Sequence, residues 1–177
     1  VIYPRLVIAA DGSDSSVRDL LNIALLTTSS QSAAALATSI DISTSHQHIA
    51  YQRFTPQGII ASLPLLSNKI GLVWTADQAT INALKDLTEL DFLDRLQQHF
   101  SYRFGQLVRC TKPRIYPLRS FIAQSQAQPG LVLLGNAAHT LLPIAAQGLN
   151  LALQDMSVLA DIIANALKTA TDLADPS

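Results

Sequence analysis

The chain has 177 residues, of which 49% are hydrophobic and 14% are charged. This length suffices for one domain or one and a half, and the charged fraction is well below the roughly 25% of ordinary globular domains. The 12 Lys and Arg residues stand against 13 Asp and Glu, so the sequence lacks the basic face of a nucleic-acid-binding protein and the polybasic segment of a membrane anchor. The single cysteine, Cys110, excludes a disulfide within the chain and fits a reducing compartment.

The longest stretch without an acidic or basic residue covers positions 120–154 and is long enough to span a bilayer. Pro129, Asn136, His139 and Pro143 interrupt it, and such groups are costly in lipid. We therefore expect no transmembrane helix there. The sequence begins without Met and enters an apolar run almost at once, a pattern that indicates a fragment of a longer protein.

The predicted elements begin with a strand at residues 5–10, which ends in the turn signal Asp11-Gly12, and a short helix within residues 14–22. Four strands with short polar turns between them are predicted next, at residues 33–44, 48–55, 58–65 and 69–76. Helical spacing of apolar residues then covers 78–100, with a break flanked by Thr88 and Asp91.

Residues 106–118 predict another pair of strands. A short apolar strand and a long helix complete the chain, at residues 131–134 and 147–168. The predicted fold class is α+β, in which a mainly antiparallel sheet is flanked by helices. The segments 5–18 and 131–150 belong to another layer, because their wholly apolar strands are typical of buried parallel strands.

The segment 131–150 has the pattern of a ligand-binding corner. A strand ends at Gly135-Asn136, a loop of mostly small residues follows, and Gln147-Gly148-Leu149-Asn150 opens a helix. A helix start offers unpaired N–H groups and the positive end of the helix dipole, which favour an anion. Gly148 lets a flat ligand approach the backbone, and Asn136 lies where α/β sheets bind ligands. The alternative is an ordinary strand–loop–helix connection without a ligand.

The segment 11–18 also follows an apolar strand. Asp11 can cap the next turn, Ser15 can cap a helix, and Arg18 can contact a phosphate through two hydrogen bonds. The alternative is a surface helix start with an exposed arginine.

Together these two segments resemble the class A flavoprotein monooxygenases, the para-hydroxybenzoate hydroxylase family. Asp11-Gly12-x-x-Ser15-x-x-Arg18 is similar to the DG motif of that family. Its second FAD motif is matched by residues of three stretches: Gly135-Asn136-Ala137-Ala138-His139-Thr140 with Pro143, Gln147-Gly148-Leu149-Asn150, and Asp155. Within the family, the sequences around Arg53, Trp74 and Tyr116 resemble the ubiquinone-biosynthesis ring hydroxylases.

The resemblance implies an FAD-dependent, NAD(P)H-using monooxygenase that hydroxylates an aromatic ring, with a polyprenyl phenol of ubiquinone biosynthesis as substrate. It implies that residues 1–30 and 121–177 are parts of a Rossmann-like FAD-binding domain and that residues 31–120 form the substrate domain. The cofactor-binding residues it implies are Asp11, Gly12, Ser15, Arg18, Gly135, Asn136, Ala138, Pro143, Gln147, Gly148, Leu149 and Asn150. Phe54, Trp74 and His139 are weaker candidates for the substrate pocket; the alternative for Phe54 and Trp74 is a position in the core. No residue is assigned a catalytic role.

Two departures from the family pattern matter. Asn136 stands where the family has an Asp that binds the FAD ribose, so the hydrogen bond remains but the charge is lost. No Gly-x-Gly-x-x-Gly occurs in the 177 residues, and in the family that fingerprint holds the FAD pyrophosphate. We therefore expect the chain by itself to bind FAD weakly.

Other functions have less support. The histidines lack metal-ligand spacing with cysteine or paired carboxylates, so no metal site is expected. No Gly-x-Ser-x-Gly elbow suggests a hydrolase. Two alternatives stay open: a non-catalytic scaffold or assembly subunit, and a flavin-dependent reductase or halogenase of the same fold. The expected location is the cytoplasm, with association to the inner membrane, to a biosynthetic complex or to a second copy of the chain as further options.

Overall fold

The computed structural model describes residues 1–27, 33–144 and 147–174. The chain divides into two compact units. The motif unit comprises Val1–Ser30 and Arg119–Ser177, and the sheet unit comprises Gln31–Leu118. Each unit has its own hydrophobic core.

The sheet unit interrupts the motif unit along the chain. The motif unit begins with β1 (Val7–Ala9), α1 (Ser16–Leu20) and β2 (Leu25–Thr27). The sheet unit contains β3 (Ala33–Ile42), β4 (Tyr51–Thr55), β5 (Gly58–Pro64), β6 (Lys69–Asp77), α2 (Gln78–Lys85), α3 (Glu89–Phe100), β7 (Leu107–Cys110) and β8 (Arg114–Leu118). The motif unit resumes with β9 (Phe121–Ala123), β10 (Ala127–Gln128), β11 (Leu131–Leu133), a short 3-10 helix (Gly135–Ala137), β12 (His139–Thr140) and α4 (Gly148–Thr169).

The sheet unit is an antiparallel sheet in the order β4-β5-β6-β3, with β7 and β8 both on the far side of β3. The two strands expected within residues 106–118 are present, but they do not pair with each other as a hairpin would. Ile40 of β3 pairs with Cys110, and Ala37 of β3 pairs with Arg114, so β7 and β8 follow one another along the same partner. Pro113 lies at the break, where its missing N–H group interrupts the ladder of hydrogen bonds.

Helices α2 and α3 cover one face of this sheet. The side chains of Asp77 and Thr88 cap them, each accepting a hydrogen bond from a backbone amide of the first turn. Because side chains alternate along a strand, every second residue of β6 points into this core, and Trp74 is fully buried there. The break expected near Thr88 and Asp91 is confirmed, since the helix that begins after Thr88 is a separate one.

The motif unit contains the expected parallel pair. β1 and β11 are parallel neighbours, in register from Val7 with Leu131 to Ala9 with Leu133, and β10 adds an antiparallel strand. A second small sheet joins β12, β9 and β2. The four strands β2, β9, β10 and β12 were not predicted from the sequence.

The long helix α4 has no buried residue among those described. Its exposed apolar side chains include Leu149, Met156 and Ile162. Within the described ranges, no helix is both long and apolar enough to cross a membrane.

The two apolar strands of the motif unit differ in their exposure. Val7 and Ile8 of β1 are exposed, at 38% and 45%, whereas Leu131 and Leu133 of β11 are buried. Leu131 and Leu133 are buried because they contribute to the hydrophobic core of the motif unit.

We predict that the 177-residue chain self-associates through the apolar surface of β1, β2 and α4, because contiguous exposed apolar area drives association. Sedimentation velocity over a concentration series should show mass that grows with concentration. Ile162→Lys, at an exposed position of α4, should reduce this growth. A monodisperse wild-type monomer at every concentration would contradict the prediction.

Candidate functional site

The two sequence motifs lie at the same edge of one sheet. β1 ends at Ala9, just before Asp11-Gly12, and its parallel neighbour β11 ends at Leu133, just before Gly135-Asn136. The carboxyl ends of parallel strands share one edge of a sheet, and ligands of open α/β sheets bind outside that edge. The fold therefore brings together, within the motif unit, segments that are more than 120 residues apart in sequence.

The first motif is a tight turn into α1. The Ser15 hydroxyl accepts a hydrogen bond from the Arg18 amide at 3.1 Å and so caps the helix. Asp11 accepts one from the Val17 amide at 3.2 Å. A hydrogen bond from the Ser15 side chain, and further ones from backbone amides, hold the pKa of the exposed Asp11 carboxyl below its usual value. Asp11 is thus ionised at neutral pH and accessible at the sheet edge.

Arg18 joins the first motif to the second. Arg18 is only 3% exposed; its guanidinium donates to the Ala137 carbonyl at 3.1 Å and to the Ser13 carbonyl at 2.8 Å. The guanidinium carbon also lies 5.1 Å from the centre of the Phe121 ring, a cation–π distance. The phosphate contact expected of Arg18 is not the arrangement found, because these donors point into the protein. The side chain instead connects two loops.

The second motif turns at Gly135, whose φ of +57° is unfavourable for residues with a side chain. A Cβ atom there would lie 3.4 Å from the Cβ of Ala152, so this glycine also lets the 3-10 helix approach α4 closely. Asn136, the next residue, is exposed. Its side-chain amide is therefore available to a ligand hydroxyl at the sheet edge.

The start of α4 is open. Gln147 occupies the N-cap position without a side-chain cap hydrogen bond, and Gln147, Leu149 and Asn150 are exposed. A Cβ atom added at Gly148 would meet nothing within 4 Å. The first amides of a helix have no partner within the helix, and no side chain caps this helix start, so a ligand beside Gly148 could accept hydrogen bonds from these amides.

His139 is enclosed within the motif unit. It is buried, and its Nε2 atom lies 2.5 Å from Oδ2 of Asp155 in α4. The expectation that His139 contributes to the substrate pocket is not supported, because the imidazole is enclosed and bonded to this carboxylate. Asp155 belongs to the motif in the sequence, but its partner could be identified only from the fold.

Of the 12 cofactor-binding candidates, four are buried: Ser15, Arg18, Gly135 and Ala138. The other eight are exposed or half-exposed: Asp11, Gly12, Asn136, Pro143, Gln147, Gly148, Leu149 and Asn150. The buried group shapes and connects the two loops, and the exposed group can contact a ligand. Direct contact of any of them with FAD stays a prediction.

The sheet unit presents a second candidate surface on the face that lacks helices. A cavity of about 730 Å³ lies there, with Leu63, Leu65, Val73 and Tyr116 among its lining residues. Phe54 is 68% exposed and pairs with Ile59, which pairs with Thr75, so it lies on this same face near the sheet edge. Strand alternation alone could have identified this face, since it holds the residues one position away from the core residues.

Trp74, the other pocket candidate, is a core residue. It is fully buried on the helix side of the sheet, and its indole N–H donates to the Gln57 carbonyl at 3.0 Å. Its ring packs edge-on against His99, with 5.0 Å between the ring centres. Of the two positions expected for Trp74, core or pocket wall, the structure shows the core position, so the side chain offers no surface to a substrate.

The residues of the motif unit fit a flavin nucleotide. The open space beside Gly148 suits a planar ring, the uncapped amides suit the negative charge of its edge, and Asn136 suits a ribose hydroxyl. Within the described residues, no cluster of His, Cys, Asp and Glu could hold a metal ion.

Comparison with known proteins also indicates a flavin-binding protein. The chain is 35% identical over 166 residues to 3-demethoxyubiquinol 3-hydroxylase of Escherichia coli (strain K12), covering 94% of this chain and 42% of the relative. It is 34% identical to ubiquinone hydroxylase UbiL of Rhodospirillum rubrum, covering 99% of this chain and 41% of the relative. The chain therefore spans about two fifths of the length of these curated relatives.

Among solved structures, PqsL of P. aeruginosa in complex with 2-aminobenzoylacetate superposes with a TM-score of 0.71 and 25% identity, covering 94% of this chain and 47% of PqsL. The model of one family, described as "FAD binding domain", matches residues 1–174. On this match, together with the paired motifs at one sheet edge, the chain belongs to the FAD-binding domain family.

Proposed function

We propose that this chain is part of a longer FAD-dependent, NAD(P)H-using monooxygenase that hydroxylates an aromatic ring. The observation that carries the proposal is the open start of α4 at the sheet edge where the motifs of β1 and β11 meet. The length of the curated relatives supports a larger protein, and so does the absence of the pyrophosphate fingerprint from these 177 residues.

In this proposal FAD, when bound, supplies the redox chemistry and the activation of oxygen. The amides of residues 148–150 hold the pyrimidine edge of the ring and stabilise negative charge there, because preorganised donors need no reorganisation. Asn136 hydrogen-bonds the ribose. Arg18 keeps the two loops at a fixed distance through its bonds to Ser13 and Ala137.

The proposed substrate is a polyprenyl phenol of the ubiquinone pathway, since two relatives are named 3-demethoxyubiquinol 3-hydroxylase and ubiquinone hydroxylase. The helix-free face of the sheet unit, with Tyr116 and Leu63, would cover the aromatic ring and exclude water. We further propose a cytoplasmic location with peripheral contact to the inner membrane, where such an apolar substrate is dissolved.

The test is to purify the full-length protein and follow NAD(P)H oxidation, oxygen uptake and product mass with a short-tailed polyprenyl phenol. We expect a product heavier by one oxygen atom, formed together with NAD(P)H oxidation. The 177-residue chain alone should bind FAD with a dissociation constant above about 1 µM, which corresponds to roughly −8 kcal/mol. Tight stoichiometric binding of FAD by the isolated chain would contradict the proposal that FAD binding needs the pyrophosphate fingerprint, which these 177 residues lack. A full-length protein that binds no flavin would contradict the proposed function.

A further inference from the structure

We propose that His139 and Asp155 form a latch that positions the start of α4 for the cofactor. The inference rests on the proposed function for the identity of the cofactor and on the structure for the latch itself. His139 follows the second motif directly in β12, and its imidazole bonds to Asp155 at 2.5 Å. The side chains are 8% and 31% exposed, so solvent screens this pair only in part.

The helix needs such a connection because packing holds it loosely. None of the described residues of α4 is buried. A groove of about 690 Å³ runs between α4 and the strands β10 and β11, with Leu131, Val158 and Ile162 among its lining residues. The groove also reaches Asp155. Apolar contacts along this side are therefore incomplete, and contacts at single points determine how the helix is placed.

Helical geometry places the latch and the open helix start on one face. Asp155 follows Gly148 by seven residues, about two turns at 3.6 residues per turn. Ala152 lies between them on the same face and makes the close approach to Gly135. The bond to His139 and the contact at Gly135 thus turn the Gly148 face of the helix towards the loop that carries Asn136.

The consequence is a positioning role for His139 and Asp155, without contact to the cofactor. Removing the Asp155 carboxylate should leave α4 folded but let its first turns move relative to the second motif. The amides that are preorganised for a flavin edge would then have to be ordered upon binding, which weakens binding. Asp155→Asn keeps an acceptor for the imidazole N–H, so this variant should hold the first turns of α4 nearly as well as the wild type.

The first arm of the test needs no cofactor. In the 177-residue chain, amide hydrogen exchange at residues 151–154 should become about tenfold faster in Asp155→Ala and His139→Ala, because local opening becomes easier. Asp155→Asn should stay close to the wild type. Asp161→Ala is the matched control, since it removes an exposed carboxylate from the same helix.

The second arm measures FAD affinity in the full-length protein by flavin fluorescence. The two alanine variants should each weaken FAD binding about tenfold, and the double variant should be no weaker than either one, as expected for partners in one interaction. The latch would be overturned if Asp155→Ala showed the same amide exchange and the same FAD affinity as Asp161→Ala. It would also be overturned if the losses of FAD affinity in the two alanine variants added up in the double variant. Faster exchange in the alanine variants, combined with a full-length wild type that binds no FAD, would support the contact itself but refute both its role and the proposed function.

Discussion

Replacing Gly148 with valine in the full-length protein is expected to weaken FAD binding by at least about tenfold, or roughly 1.4 kcal/mol. The valine side chain would enter the space beside Gly148, where a Cβ atom meets nothing within 4 Å among the described residues. In the proposed complex the flavin edge occupies that space, so the two groups would collide. Hydroxylation should fall with the flavin content.

The same variant should leave the protein folded. Gly148 is not among the glycines with positive φ, and valine is a slightly better helix former than glycine, by a few tenths of a kcal/mol. The unfolding midpoint of the apo protein should therefore hardly change. Asn150→Ala serves as the control, because it removes an exposed side chain but keeps the backbone donor. Its effect on FAD should be smaller, and normal flavin content and turnover in a folded Gly148→Val protein would refute the site.

Much of the fold could be predicted because long strands and helices show clear periodicity. The four strands β3 to β6 and the helices α2 and α3 lie close to their predicted positions. The strands that were missed, β2, β9, β10 and β12, have two or three residues each. A period of two cannot be recognised over so few residues, and these strands form only because the rest of the motif unit offers them a partner.

The sequence predicts which residues belong to the site, but it does not predict which of them can contact a ligand and which connect the two loops. Motif matching identifies Arg18 and His139, yet it cannot tell a ligand contact from an internal one. Both side chains are buried, and both bond to groups more than 15 residues away in sequence, which only the fold brings near. Trp74 illustrates the same limit, because its side of the sheet depends on which face the helices cover.

We expect the substitution Arg18→Met to destabilise the motif unit by about 2–3 kcal/mol. Methionine roughly preserves the length and the apolar stem of the side chain. It removes the donors of the Ala137 and Ser13 carbonyls and the contact with the Phe121 ring. A buried carbonyl that loses its donor costs about 1–3 kcal/mol, and relief from burying a cation offsets part of this. Arg18→Lys, which keeps the charge but not the planar group of donors, should be intermediate.

The control is Arg119→Met in the same unit. Arg119 forms a 2.8 Å salt bridge with Asp14, but the two side chains are 68% and 81% exposed, and such pairs contribute about 0–1 kcal/mol. Urea unfolding of the 177-residue chain, followed by a probe in the motif unit, should show a clearly lower midpoint for Arg18→Met than for Arg119→Met at similar denaturant slopes. Equal midpoints would mean that Arg18 does not hold the two motifs together. The arginine would then be free to turn towards a phosphate, as the sequence alone suggested.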